Sequence, residues 1–206
     1  MATTTSVITG DIMKSRNKDT KIWTDQLKKC FTFLVDDPKY WEIYRGDSFQ
    51  IELKDIQQSY WAAIYIKACI KSIKGLDVRL ALGIGNKTYN GKKVTESNGE
   101  AFQFSGETLE TLKKLNQNLR IKTKDAELDQ ELNLYFKLAL ISMNNWTVNS
   151  AEMIKLTLEY PKALQQDLAE KIGINQNAVS KRQKRASLDE ILELDLMYRK
   201  KIKPLL

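Results

Sequence analysis

Two groups of residues in this sequence have the types and spacing for chemistry. The first is a pair of aspartates, Asp11 in the stretch SVITGDI and Asp47 in RGDS. Two carboxylates held at one sheet edge are hard oxygen donors that suit Mg2+ or Mn2+, and a metal so held polarises phosphoryl oxygens. Asp after Gly is also common in turns, where it braces only the local backbone. Just beyond Asp11, Met13 to Lys18 read as a basic loop.

The second group lies between Leu164 and Ala186, in LQQDLAEKIGINQNAVSKRQKRA. Leu164, Leu168 and Ile172 recur at four-residue spacing, which lines one face of a helix. Gly173 supplies a sharp stop, and Asn175 is a suitable N-cap for a second helix. In that helix Val179 and Ala186 face inward, while Gln176, Asn177, Ser180, Lys181, Lys184 and Arg185 point away. The spacing of Ala169, Gly173 and Val179 resembles that of bacterial helix-turn-helix domains, whose second helix enters the DNA major groove. Amide side chains there can pair with base edges and cations with phosphates. From Lys171 to Leu188 there are five basic residues and no acidic one. Arg182 stands where an aliphatic residue is common, and a plain helical hairpin with a solvated basic face would carry the same residues.

Composition limits what these groups can do. With no histidine among 206 residues, Ser-His and Cys-His nucleophile pairs and the common zinc sites are excluded, so catalysis would rest on carboxylates, lysines or a carboxylate-bound metal. Cys30 and Cys69 sit in apolar, helical-looking surroundings that predict buried thiols. Hydrophobic residues make up 42% and charged residues 29%, the balance of a chain with one large or two small cores. No apolar run reaches membrane-spanning length and the first residues lack the pattern of a signal peptide, so the expected location is the cytoplasm, with no membrane partner. The net charge of +7 suits a nucleic-acid partner, but residues 1–125 hold 21 basic and 15 acidic side chains against 12 and 11 in residues 126–206. Support for DNA is therefore local, in Lys181 to Arg185 and in Arg199 to Lys203, and a homodimer would double the contacts.

The elements that must position these residues follow from periodicity. Ser6 to Ile12 reads as a buried strand, Ile22 to Val35 as a helix closed by Asp36-Asp37-Pro38, and Tyr40 to Tyr44 with Phe49 to Leu53 as a hairpin with Asp47 at its tip. A helix is expected from Asp55 to Ile73, a strand from Val78 to Ile84, a hairpin turn at Asn90-Gly91, a helix from Gly99 to Leu115 and a strand from Leu119 to Thr123. This order predicts an α+β fold, a split βαβ sandwich of the ferredoxin-like kind over residues 1–125, with helices on one face of a mainly antiparallel sheet. Residues 126–206 read as all-helical: Glu127 to Asn144, Val148 to Tyr160, the helix-turn-helix over 164–186, and a terminal helix from Leu188 to Ile202 that caps the domain or pairs two chains.

The segments VITGDIMKSR, RGDSFQ, RLALGIG and GEAFQFSGETLE resemble the SatD family. They are more distantly similar to the catalytic core of class III nucleotidyl cyclases. That similarity implies a cyclase-like domain with Asp11 and Asp47 on metal ions and the backbone of Ile12 to Ser15 near phosphates. With it comes a nucleotide or metal pocket of Asp11, Asp47, Ser15 and Arg16, in which Arg16 and Lys18 pair with phosphate oxygens. Where cyclases carry a transition-state asparagine and arginine, this chain has Gln103 and Glu107, an anion in place of the required cation, which argues against cyclase activity. Three functions remain in view: a DNA-binding transcriptional regulator whose first half senses a nucleotide, a metal-dependent enzyme acting on a nucleotide or phosphoester through Asp11 and Asp47, and a structural adaptor.

Overall fold

The computed structural model describes residues 3–206. Strand β1 (Thr3–Met13) leads to helix α1 (Thr20–Leu34), the hairpin β2 (Trp41–Tyr44) and β3 (Ser48–Leu53), helix α2 (Ser59–Lys71) and strand β4 (Asp77–Tyr89). The short β5 (Asn98–Gly99), helix α3 (Glu100–Leu115) and β6 (Leu119–Lys122) complete a mixed α and β half. Five helices follow: α4 (Ala126–Met143), α5 (Val148–Glu159), α6 (Gln165–Lys171), α7 (Gln176–Arg185) and α8 (Leu188–Ile202). Neighbouring strands run in the order β2-β3-β1-β4-β5, all antiparallel, and β6 joins β4 in parallel.

β1 is central because both of its faces can be buried. Ile8 and Ile12 join Val78, Leu80, Leu82 and Ile84 of β4 in the main core, together with Trp23, Leu27 and Phe31 of α1. Val7 and Thr9 lie on the opposite face, where Val7 packs on Ala101 and Phe102 of α3 and the Thr9 hydroxyl donates to Ser105 Oγ at 2.8 Å. Helices therefore cover both faces of the sheet, not one as periodicity suggested. The cause lies in β4, whose second face carries Ala81, Gly83 and Gly85. A Cβ on Gly83 would lie 2.1 Å from the Ala101 carbonyl oxygen and 2.5 Å from the Ser105 nitrogen, so α3 sits directly on the strand backbone.

α2 is buried almost all round, from Tyr60 through Ile70, as expected of a helix enclosed between two layers. The sheet lies beneath it, and α5 and α8 pack against it from the helical half. Tyr60 stacks on Phe136 of α4 with ring centroids 4.8 Å apart, and the Tyr198 hydroxyl of α8 donates to the Ile56 carbonyl at 3.0 Å. One core thus runs from Ile8 to Ile202 across position 125. A polar clip crosses the same junction. The fully buried Lys67 ammonium donates to Asp77 Oδ1 at 2.8 Å and Asn144 Oδ1 at 3.0 Å, and Lys71 reaches Asp77 Oδ2 and the Asn144 carbonyl.

A smaller core joins Met153 of α5 to Leu168 and Ala169 of α6 and Val179 of α7, with Leu156, Ala163, Ile172 and Ile174 around it. Among the described residues no helix is long and apolar enough to cross a membrane. Local departures from the expected elements have simple causes. Pro38–Tyr40 and Ile56–Gln58 form 3-10 turns capped by Asp37 and Asp55, which delay the strand and the helix that follow them. The chain after Tyr89 returns through a wide loop with a 3-10 turn at Val94–Glu96 before pairing as β5, in place of a two-residue turn at Asn90-Gly91.

Candidate functional site

The antiparallel register sets Asp11 opposite Ser48 of β3 on one side and Arg79 of β4 on the other. Arg79 Nη1 donates to Asp11 Oδ2 at 2.8 Å, while Oδ1 is buried with no hydrogen-bond partner among the described residues. Burial pushes the Asp11 carboxyl above its ordinary range; Arg79 and Lys113 pull it back, and Asp47 and Glu110 push it further up.

Asp47 arrives through the β2–β3 hairpin, whose tip bends at Arg45 and Gly46, both at positive φ of 50° and 83°. Its carbonyl accepts from the Ile12 N–H at 3.0 Å, fastening the tip to β1 one residue beyond Asp11. Its Oδ2 accepts from Ser15 Oγ at 2.7 Å. Ser15 is buried at the start of a 3-10 turn that Lys14 enters in the left-handed region, at φ 64°. Asp11, Asp47 and Ser15 therefore meet at one end of the sheet, and Arg16 and Lys18 lie exposed beside them on the same short segment. Among the described residues no group of three or more carboxylates or thiols forms a metal cluster.

Gln103 and Glu107 are exposed on α3, and Glu107 pairs with Lys122 of β6 at 2.7 Å. Glu107 lines a cavity of about 460 Å³ with Arg120, Lys122 and Asp129. Glu110 and Lys113 are the α3 residues whose charges act on Asp11. Arg79 reads in the sequence as the polar member of an alternating strand, and only the β1–β4 register reveals that it faces Asp11.

At the other end of the chain, α6 and α7 are joined through Gly173 at φ 66°, and the Ile174 N–H donates to the Ala169 carbonyl at 3.0 Å. Asn175 caps α7 by accepting from the Ala178 N–H at 2.8 Å. Gln176, Asn177, Ser180, Lys181, Lys184 and Arg185 are all exposed, and Val179 is fully buried. Positions 176, 180 and 184 and positions 177, 181 and 185 form adjacent four-residue rows, so the six side chains share one face. Arg182 turns toward α5, where Nη1 lies 3.3 Å from Glu152 Oε2. Gln183 follows it inward, donating to Thr157 Oγ1 and accepting from Gln165 Nε2. The basic run at the end of α8 is partly spent on docking: Arg199 binds Asp195 and Gln58, and Lys201 binds Glu131.

The molecule is thus a mixed α/β-sheet protein fused through a shared core to a helical half with an exposed basic helix. The model of the SatD family matches residues 5–203, nearly the entire chain, and the protein belongs to that family. No curated protein and no solved structure matches it.

Proposed function

We propose that this protein is a cytoplasmic, sequence-specific DNA-binding transcriptional regulator, with α6 and α7 as a helix-turn-helix and α7 as its reading helix. The observation that carries the proposal is the division of α7. Its amide, hydroxyl and cationic side chains form one exposed face, while Val179, Arg182 and Gln183 serve the inner face. Among the described residues Arg182 is the only cation of α7 held in an ion pair, which leaves Lys181, Lys184 and Arg185 to meet phosphates. Gln176, Asn177 and Ser180, near the N-terminus of α7, suit base edges.

The first half is then a nucleotide sensor. The strand order β2-β3-β1-β4, with α1 and α2 as crossovers, supports a ferredoxin-like, cyclase-like sandwich. Ser15, Arg16 and Lys18 are its phosphate-binding residues. Binding of the purified protein to fragments of its own genomic neighbourhood, against random DNA and with or without nucleoside triphosphate and magnesium, tests both halves. Selective binding that nucleotide shifts supports the reading; equal binding to every fragment removes it.

One observation favours a metal-dependent phosphoester enzyme instead, the buried Asp11 Oδ1 left without a partner near Asp47. Two carboxylates suffice for Mg2+ or Mn2+ when substrate and water complete the shell, and such an ion would supply Lewis-acid polarisation of a phosphoryl oxygen. Arg79 already neutralises Asp11, which weakens this alternative. Loss of nucleotide turnover in Asp11→Ala with DNA affinity intact is the result that would favour it.

A further inference from the structure

The outer face of α4 carries a stripe of large aliphatic side chains that none of the described residues covers. Leu134 and Leu138 are 55% exposed and Ile141 is 68% exposed. They recur at i, i+4 and i+7, so they form one continuous row. Beside them, Tyr135, Ala139, Ile191 and Leu194 line an apolar groove of about 440 Å³ between α4 and α8. Three such side chains expose on the order of 300 Å² of apolar surface, comparable with the largest patch of a typical monomer, which is often functional.

The charges flanking the stripe say what fits it. On a helical wheel, Lys137 lies to one side of Leu134, Leu138 and Ile141, and Tyr135, Ala139 and Ser142, which face the groove and α8, lie to the other. The α8 side is acidic, with Glu190 at the groove and Asp189 and Glu193 exposed nearby. Neither Lys137 nor Glu190 is in an ion pair among the described residues. A second copy, related by a two-fold axis running along α4, lays stripe on stripe and brings the basic flank of each chain against the acidic flank of the other. Ser142 and Ser187 are hydrogen-bonded at 3.0 Å, which puts Glu190, one turn into α8, at a height along α4 close to that of Lys137.

We propose that this face is a homodimer interface, with the α4 stripes as its apolar centre and Lys137 of each chain paired with Glu190 of the other. The α4–α8 groove receives the partner's stripe, and the polar residues Ser142, Ser187 and Glu190 line the groove beside its apolar side chains, a mix of apolar centre and polar surround usual in a specific interface. α7 runs directly into α8, and the Ala186 carbonyl between them accepts from Ser142 and Trp146 at the end of α4. Pairing through α4 therefore fixes the spacing of the two α7 helices. The interface itself does not depend on the DNA-binding proposal.

Sedimentation equilibrium on the full chain tests it without DNA. The wild type is expected at twice the monomer mass of 23.8 kDa. Leu138→Asp is expected at the monomer mass with an unchanged circular dichroism spectrum, since its side chain is already exposed. Lys137→Glu should weaken dimerisation roughly tenfold or more by setting like charges together, and adding Glu190→Lys should restore it. A monomeric wild type at high concentration overturns the interface, as does a dimer that survives Leu138→Asp. A charge swap without rescue overturns the pairing of flanks. If the stripe instead seats a different protein, the wild type stays monomeric alone. A monomeric Leu138→Asp that still binds DNA weakly separates this proposal from the function of α7.

Discussion

The Trp146 indole N–H donates to the Ala186 carbonyl at 2.9 Å, and this buried bond ties the residue that ends α7 to the turn between α4 and α5. Ser142 Oγ reaches the same carbonyl at 3.2 Å. α7 is consequently anchored twice, by Val179 in the small core of α5 and α6 and by Ala186 on the main core. The orientation of its exposed face is set by the body of the protein.

Trp146→Phe keeps most of the apolar ring and removes the donor. The expected cost is about 1 kcal/mol for the lost bond, read by chemical denaturation, with faster amide exchange in the last turn of α7. Unchanged exchange from Arg182 to Ala186 would show that the bond does not hold the helix end.

Gly83→Ala probes how closely α3 sits on the sheet. The added methyl meets the Ala101 carbonyl oxygen and the Ser105 nitrogen, both backbone atoms that no rotamer change can move. A loss of roughly 3 kcal/mol or more is expected, at the upper end of overpacking effects. Gly106→Ala, on the same helix with open space around it, is the control and should be neutral or slightly stabilising. Equal melting temperatures for the two variants would contradict the packing described.

Much of this architecture was legible in the sequence, and the failures share a cause. β1, α1, β3 and β4 follow from period and punctuation, because each buries a stripe that its own residues define. The six outward residues of α7 follow from the same logic applied to one helix. What could not be read depends on partners distant in sequence. Gly83 and Gly85 signal close approach but do not say by which element. The two residues of β5 have no period at all. Lys67 falls by spacing on the inward stripe of its helix with Tyr60, Ala63 and Ile64, but the partners that satisfy its ammonium, Asp77 and Asn144, are brought to it only by the fold. Asp11 and Asp47 were legible as a pair from the hairpin, whereas Arg79 required the strand register.

Lys67→Met preserves the aliphatic stem and deletes the buried ammonium that holds Asp77 and Asn144 together. Removing one partner of a buried pair leaves the rest desolvated, so a loss of about 2–3 kcal/mol is expected even with Lys71 still on Asp77. Calorimetry should show the sheet half and the helical half still melting together in the wild type. A variant as stable as wild type would mean that apolar contact alone holds the junction.

Asp11 should shape the pH dependence of stability. Its folded pKa lies above the unfolded value, so the folded chain holds the extra proton in the window between the two, and the group's contribution falls as pH rises through the folded pKa. The stability of the wild type relative to Asp11→Asn, which does not titrate, should therefore improve on acidification from neutral pH through that window. Thermal melting of both proteins across the acid range checks the sign. A relative loss of wild-type stability on acidification would mean that Arg79 outweighs burial at this carboxyl.

The most direct test of the proposed reading helix is the salt dependence of binding to a selected DNA fragment, for the wild type and for Lys181→Ala with Lys184→Ala. If these lysines neutralise phosphates, the double variant binds more weakly, and the slope of log K against log salt shrinks by about 2 per binding α7, nearly one for each lost contact. An unchanged affinity and slope would contradict the assignment of α7 to DNA.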